Sequence, residues 1–230
     1  MKHYIIPIFI PHYGCRHACV FCNQRKITGV ETDVTPGRVR ESIAWHLARI
    51  DQARVVEVAF YGGSFTALPE AMQRALLAPA SEALRAGRVQ GIRLSTRPDS
   101  ISAEGLALLL EHGVSVVELG VQSLSDAVLA AAGRGHTAAD VEAAVRLIRQ
   151  TPLELGLQFM PGLPGEDWQR RMDTLARAIA LRPDFARIYP TVVLAGTKLA
   201  ALYAAGAYAP LALEKAVAFA AIMKLSLIHI

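Results

Sequence analysis

The chain has 230 residues, 53% of them hydrophobic and 19% charged, with a formal net charge of +4. That length can bury one sizeable core or two small ones, and the composition excludes a disordered, collagenous or membrane-spanning chain, because no apolar stretch is long enough to cross a bilayer. The positive balance, carried mostly by arginine, suits an anionic partner such as RNA, although arginines scattered over helix faces give the same total.

The first predicted strand is "YIIPIFI", residues 4–10. The opening "MKHYIIPIFIPHYGC" has the order of a lipoprotein signal, with a lysine, an apolar run and then Gly-Cys. Pro7 and Pro11 interrupt that run, and it is too short for a signal core, so export is not expected. Directly after the strand, "CRHACVFC" holds all three cysteines, Cys15, Cys19 and Cys22. An odd number of cysteines inside eight residues cannot build a disulfide framework, which places the chain in a reducing cytoplasm. The CxxxCxxC spacing lets one turn aim three thiolates at one centre. Zinc is one reading, with His12 or His17 completing a Cys3His site, although no second CxxC half follows. An iron-sulfur cluster is the other, with three thiolates leaving one iron open to a non-protein ligand.

Downstream, short and mostly continuous apolar runs alternate with amphipathic helical patterns. The runs are "RVVEVAFYG" (54–62), "GIRLST" (91–96), "SVVELGVQS" (115–123), "LELGLQF" (153–159) and "ARIYPTVV" (186–193). Continuous apolar runs suit strands covered on both faces of a parallel sheet. Thr35-Pro36 is an N-cap followed by proline at the first helical position, and Thr137 with Asp140 has capping-box spacing. Helices are expected over 69–86, 102–112, 138–150 and 167–181, with another beginning near 197. Six βα units predict an α/β domain with a parallel sheet, either an open doubly wound sheet or a barrel or partial barrel. Both place function at the C-terminal ends of the strands. The unusual segments fall there: "PHYGCRHACVFCNQ", "YGGSF", "STRPD", "GVQS", "MPGLPG" and "YPTVV".

Together, CxxxCxxC after strand one, Phe21 just before the last cysteine and Gly62-Gly63 after strand two resemble the radical S-adenosylmethionine (SAM) superfamily, over residues 5 to about 200. The resemblance implies a six-unit (βα)6 partial TIM barrel of the α/β class with a parallel sheet. It implies an enzyme in which Cys15, Cys19 and Cys22 hold a 4Fe-4S cluster, while SAM binds the open iron through its amino and carboxylate groups. Reductive cleavage of SAM would release a 5'-deoxyadenosyl radical that abstracts hydrogen from a substrate, an oxidation that side chains cannot perform and a cofactor must carry. A one-electron reductant of the flavodoxin or ferredoxin type is implied as a partner. The family's roles put Phe21 near the adenine, and Gly62, Gly63 and Ser64 at the methionine amino group. Ser95 stands where relatives often carry a glutamate. Gln122 and Ser123 would reach the SAM ribose or carboxylate, and Arg134, in "GRGHT", would pair with the carboxylate. In "QFMPGLPG", Gln158 replaces an aspartate of some relatives and Gly162 belongs to the turn beside the adenine.

"STRPD", "GVQS", "PGLPG" and "RIYPTVVLAGTKL" further resemble the radical SAM core of the Elongator catalytic subunit and its bacterial look-alikes, and more distantly coproporphyrinogen dehydrogenase. A tRNA substrate is the first expectation, and tetrapyrrole or small-molecule oxidation the alternative. A zinc-binding module is the reading outside enzymes. The cysteine spacing is shorter than in the Elongator subunit, and the chain as given has no acetyltransferase domain. On this resemblance residues 1–224 form the core, its final helix cut short, and 225–230 of "LSLIHI" are a non-native tail like a translated sequencing adapter. No membrane association is expected.

Overall fold

The computed structural model describes residues 3–24, 29, 34–50 and 55–227. Six strands, β1 (His3–Phe9), β2 (Val55–Tyr61), β3 (Gly91–Thr96), β4 (Val114–Gln122), β5 (Glu154–Phe159) and β6 (Phe185–Ile188), form one sheet in the order β1-β2-β3-β4-β5-β6. The intervening helices are α1 (Pro36–Leu47), α2 (Glu70–Arg85), α3 (Ala103–Glu111), α4 (Asp126–Ala131), α5 (Ala138–Ile148) and α6 (Trp168–Ala180). After β6 come α7 (Lys198–Ala204) and α8 (Leu213–Leu227). Each strand lies beside its predecessor in sequence, so the order never reverses. A doubly wound sheet reverses at a switch point, whereas sequential βα addition builds a barrel. The fold is the α/β partial TIM barrel that the resemblance implied.

Pairing is parallel where the register is defined: β1 on β2 from His3↔Val55 to Phe9↔Tyr61, β2 on β3 from Glu57↔Gly91 to Phe60↔Leu94, and β5 on β6 from Gly156↔Phe185 to Phe159↔Ile188. The apolar runs are continuous because both faces are covered. In β4, Val116, Val117, Leu119 and Val121 are each at most 3% exposed although consecutive residues face opposite sides.

The chain divides into two compact units. One comprises Met1–Cys15, Gln24–Glu118 and Leu147–Glu154, and the other Arg16–Asn23, Leu119–Arg146 and Leu155–Ile230. Ile6, Val58, Phe60, Ile92 and Leu94 are fully buried in the first, with the Phe60 and Phe65 rings 5.0 Å apart. Leu155, Leu157, Val121 and Val141 are the fully buried equivalents in the second.

The expected caps form. Thr35 accepts from the Arg38 N–H at 3.3 Å, ahead of Pro36. The Thr137 hydroxyl accepts from the Asp140 N–H at 3.2 Å while the Asp140 carboxylate accepts from the Thr137 N–H at 2.7 Å, the reciprocal pair of a capping box. Three boundaries differ from expectation. "ARIYPTVV" contributes a strand of only four residues, Phe185–Ile188. Tyr189 makes the last ladder bond, donating to the Phe159 carbonyl at 2.8 Å, and Pro190 has no N–H with which to continue. The helix expected near 197 is two helices, α7 ending before Gly206 and α8 extending through residues 225–227. Short α4 was not expected at all. Arg54 at the head of "RVVEVAFYG" and residues 228–230 of "LSLIHI" lie outside the described residues. Among the described residues, no helix is long and apolar enough to cross a membrane.

Candidate functional site

In the first unit, β2 ends at Tyr61 and the chain turns through Gly62-Gly63-Ser64. Gly62 takes φ +96°, a conformation that side-chain-bearing residues rarely adopt. At Gly63 the constraint is proximity: a Cβ would lie 2.4 Å from the Tyr13 carbonyl oxygen and 2.6 Å from that of Ile10. The segment leaving β1 is thus packed directly on the turn, and the Ser64 N–H donates to the Tyr13 carbonyl at 2.7 Å. Ser64 is 1% exposed, and its Oγ lies 3.8 Å from the Cys15 Sγ. Gly63→Ala is expected to cost about 1–3 kcal/mol of stability, the range for forcing atoms into a packed site. Urea unfolding checks it, and an unchanged midpoint would show that the turn is less closely packed than described.

Below this turn lies a buried charged network that sequence reasoning missed. The Tyr61 hydroxyl donates to the Glu118 carboxylate at 3.0 Å, and Arg93 Nε donates to the same oxygen at 3.0 Å. Arg93 Nη1 reaches Glu57 at 2.8 Å, and His3 lies 2.7 Å from the same Glu57 oxygen. The Glu118 side chain is wholly buried and that of Arg93 is 7% exposed. The available signal was a lone charge inside each of three successive apolar strands, "VVEVAF", "GIRLS" and "VVELGV". Ser95, on β3, is half-buried. The neighbouring Arg97 is buried and holds Asp99 through two bonds of 2.9 and 3.0 Å, which fixes the "STRPD" turn.

In the second unit, Cys19 and Cys22 share a turn, with the Cys22 N–H donating to the Cys19 carbonyl at 3.1 Å. Val20 between them is fastened on both sides: its N–H donates to the Ala132 carbonyl at 3.0 Å and its carbonyl accepts from Leu199 N–H at 2.7 Å. Phe21 packs with Val20 and Met160 against Val128, Ala132 and Leu163. Arg134 is only 7% exposed, so it is no solvent-facing loop arginine. Its Nη1 lies 3.4 Å from Cys19 Sγ and its Nη2 donates to the Gly120 carbonyl. Next to it, a Cβ on Gly135 would lie 2.4 Å from the His17 ring, so the imidazole rests against the bare Cα.

Gln122, the last residue of β4, has φ 69°, and its buried Oε1 has no hydrogen-bond partner among the described residues. A strained residue with an orphaned polar atom at a strand's C-terminal end is characteristic of ligand sites. Ser123 differs: it is fully buried, its hydroxyl lies 3.2 Å from the Thr174 hydroxyl, and it accepts from the Ser125 N–H at 3.2 Å. Gln158 is half-buried on β5, opposite Arg187. Gly162 is held from both ends, its N–H donating to Glu166 and its carbonyl accepting from the Tyr208 hydroxyl at 2.7 Å. Glu166, also missed from the sequence, accepts from Arg171 Nε at 3.0 Å. Burial pushes its carboxyl up from the ordinary range, while the Gly162 N–H and Arg171 pull it down.

No disulfide joins the cysteines. Among the described residues, no three His, Cys, Asp or Glu side chains gather tightly enough to hold one metal ion. In an iron-sulfur cluster the thiolates sit on different irons. A short loop of thiols, with a buried guanidinium beside one sulfur, has the donor chemistry for such a cluster.

The family description "Radical SAM superfamily" matches residues 9–178, and "Radical_SAM C-terminal domain" matches 183–229. The chain is similar to a tRNA uridine(34) acetyltransferase of Methanocaldococcus jannaschii, 32% identical over 133 residues that make up 56% of this chain and 25% of that protein. It is also similar to the Elongator complex protein 3 of Homo sapiens, 30% identical over 173 residues, 66% of this chain and 32% of that protein. The chain therefore spans a quarter to a third of these relatives' length. Its fold matches that of the Methanocaldococcus infernus Elp3 structure, with TM-score 0.77 and 21% identity, covering 97% of this chain and 54% of that one. It also matches the coproporphyrinogen III oxidase of Escherichia coli, with TM-score 0.70 and 18% identity, covering 99% and 53%.

Proposed function

This chain belongs to the radical SAM superfamily, enzymes whose cofactors are a 4Fe-4S cluster and SAM, and from that premise we propose that it uses them to abstract hydrogen from a tRNA. Cys15, Cys19 and Cys22 are the residues that would hold the cluster. When bound, cluster and SAM supply one-electron chemistry able to break an unactivated C–H bond.

The chain's own residues bind and orient. The observation that carries the reading is the seating of Cys15 against Ser64 of the Gly62-Gly63-Ser64 turn, at 3.8 Å. It sets a cluster-ligand candidate beside the backbone that we assign to the methionine amino group. Arg134 places a fixed positive charge next to Cys19 and has the chemistry to pair with a carboxylate. Gln122 offers a buried side-chain oxygen, on a backbone held at positive φ, to the ribose or carboxylate. Ser123 has its hydroxyl turned onto Thr174, so we assign it to holding the end of β4. Phe21, Gly162 and Gln158 are assigned to the adenine side, with Glu166 and Tyr208 keeping the Gly162 turn in shape. Ser95 is retained as a contact through its position near the end of β3.

The tRNA substrate is supported by the relatives' names and by the net charge of +4. A flavodoxin- or ferredoxin-type donor and a cytoplasmic setting complete the proposal. Protein purified without oxygen should contain iron and sulfide near four each per chain and, with reductant, turn SAM into 5'-deoxyadenosine. One zinc without sulfide overturns it. Bulk tRNA should bind with an affinity that falls steeply with salt as phosphate contacts are lost. Absent or salt-insensitive binding overturns the substrate assignment and leaves the SAM chemistry standing.

A further inference from the structure

His12 is one of three non-glycine residues with positive φ among the described residues, at 61°. A left-handed histidine costs roughly 1 kcal/mol and persists only where its surroundings hold it. What that conformation secures is a clasp. The His12 Nε2 accepts a hydrogen bond from the Gln24 N–H at 3.0 Å, tying together the two residues that flank the cysteine loop. An accepting Nε2 carries no proton, so the ring proton in this arrangement is on Nδ1.

The clasp holds the main chain of Gln24, whose side chain lies against the glycine turn. Its Oε1 lies 2.9 Å from the position a Cβ on Gly62 would occupy. A hydrogen-bond acceptor thus lies beside the bare Cα of Gly62, within the same compact unit as Gly62, Gly63, Ser64 and Cys15. An alkylammonium has three donors and no acceptor, so the site that takes it must supply acceptor oxygens. A neutral amide oxygen adds an acceptor without adding negative charge near the thiolates.

We propose that Gln24 is a further SAM-binding residue, its amide oxygen accepting from the methionyl ammonium, with His12 as the residue that positions it. The assignment rests on the radical SAM reading above. The test uses the full chain, loaded with its cluster without oxygen, and measures binding of SAM and of a SAM analogue lacking the amino group by calorimetry. Gln24→Leu should weaken SAM binding about ten- to hundredfold, the worth of a hydrogen bond to a charged group, and weaken the analogue by less than about threefold. Iron and sulfide content should not change, and Gln24→Glu, which keeps an acceptor oxygen, should bind SAM at least as well as the parent. Parent-like SAM affinity in Gln24→Leu overturns the assignment. So does equal weakening of both ligands, or a fall in iron that accounts for the loss, since Gln24 would then only shape the loop. A parent chain that carries its cluster yet binds no SAM is a different result and overturns the proposed function itself.

Discussion

Changing any one of Cys15, Cys19 or Cys22 to alanine is expected to abolish the iron-sulfur absorbance and SAM cleavage while leaving the protein folded. Cys15 is exposed, Cys19 and Cys22 are half-buried, and none is in a disulfide. Cys15 and Cys22 carry no core packing, so replacing them should cost less than about 1 kcal/mol, and replacing Cys19, whose sulfur lies 3.4 Å from Nη1 of the buried Arg134, about 1–2 kcal/mol. The loop is fastened independently of the sulfurs, by Val20 to Ala132 and Leu199 and by Cys15 N–H to the His12 carbonyl at 3.0 Å. Iron should fall from near four per chain to near zero, because a cluster missing one of three protein thiolates has too few anchors. The three variants should behave alike. A variant that keeps both iron and cleavage removes its cysteine from the ligand set, and one that loses iron only because it unfolds will show that loss in its melting curve.

The partial barrel was legible because its signals are local. Each buried strand is a continuous apolar run, and Thr35 and Thr137 mark helix starts by side-chain chemistry acting within three residues. The candidate site was proposed from the family's short motifs, at the cysteines and at Gly62-Gly63, and the fold seats Cys15 beside that turn. What stayed hidden depends on register and dihedral angle. Glu57, Arg93 and Glu118 are far apart in sequence, and only the pairing of Glu57 with Gly91 brings Arg93, two residues further along the same face, within reach of Glu57. Nothing in the letters "H" or "Q" announces that His12 and Gln122 take positive φ. The burial of Arg134 and the inward turn of the Ser123 hydroxyl likewise follow from tertiary packing. Residue type alone does not say how deeply either side chain is buried.

Arg93→Met should be the most damaging substitution away from the cysteines, costing about 3–5 kcal/mol, the cost of leaving a buried charge without its partner. Arg93 bridges Glu57 and Glu118 at 2.8 and 3.0 Å, and the Glu118 side chain has no access to water. His3, the other partner of Glu57, is half exposed and lies at the start of the strand, so it cannot substitute at Glu118. A shift of the urea midpoint measures the loss. A triple variant, Arg93→Met with Glu57→Gln and Glu118→Gln, removes the charges together and should recover most of the stability, since replacing a whole buried ionic group by neutral residues is often close to neutral. If the single variant costs under about 1 kcal/mol, the network does not have the uncompensated-charge energetics inferred from its burial. The consequence extends beyond stability, because Glu118 also accepts from the Tyr61 hydroxyl, and Tyr61 is the residue before Gly62. Tyr61→Phe should therefore cost only about 1.5–3 kcal/mol, the worth of one hydrogen bond to a charged group and less than Arg93→Met, yet weaken SAM binding. That split would identify the buried network as what holds the glycine turn in register beneath the cofactor.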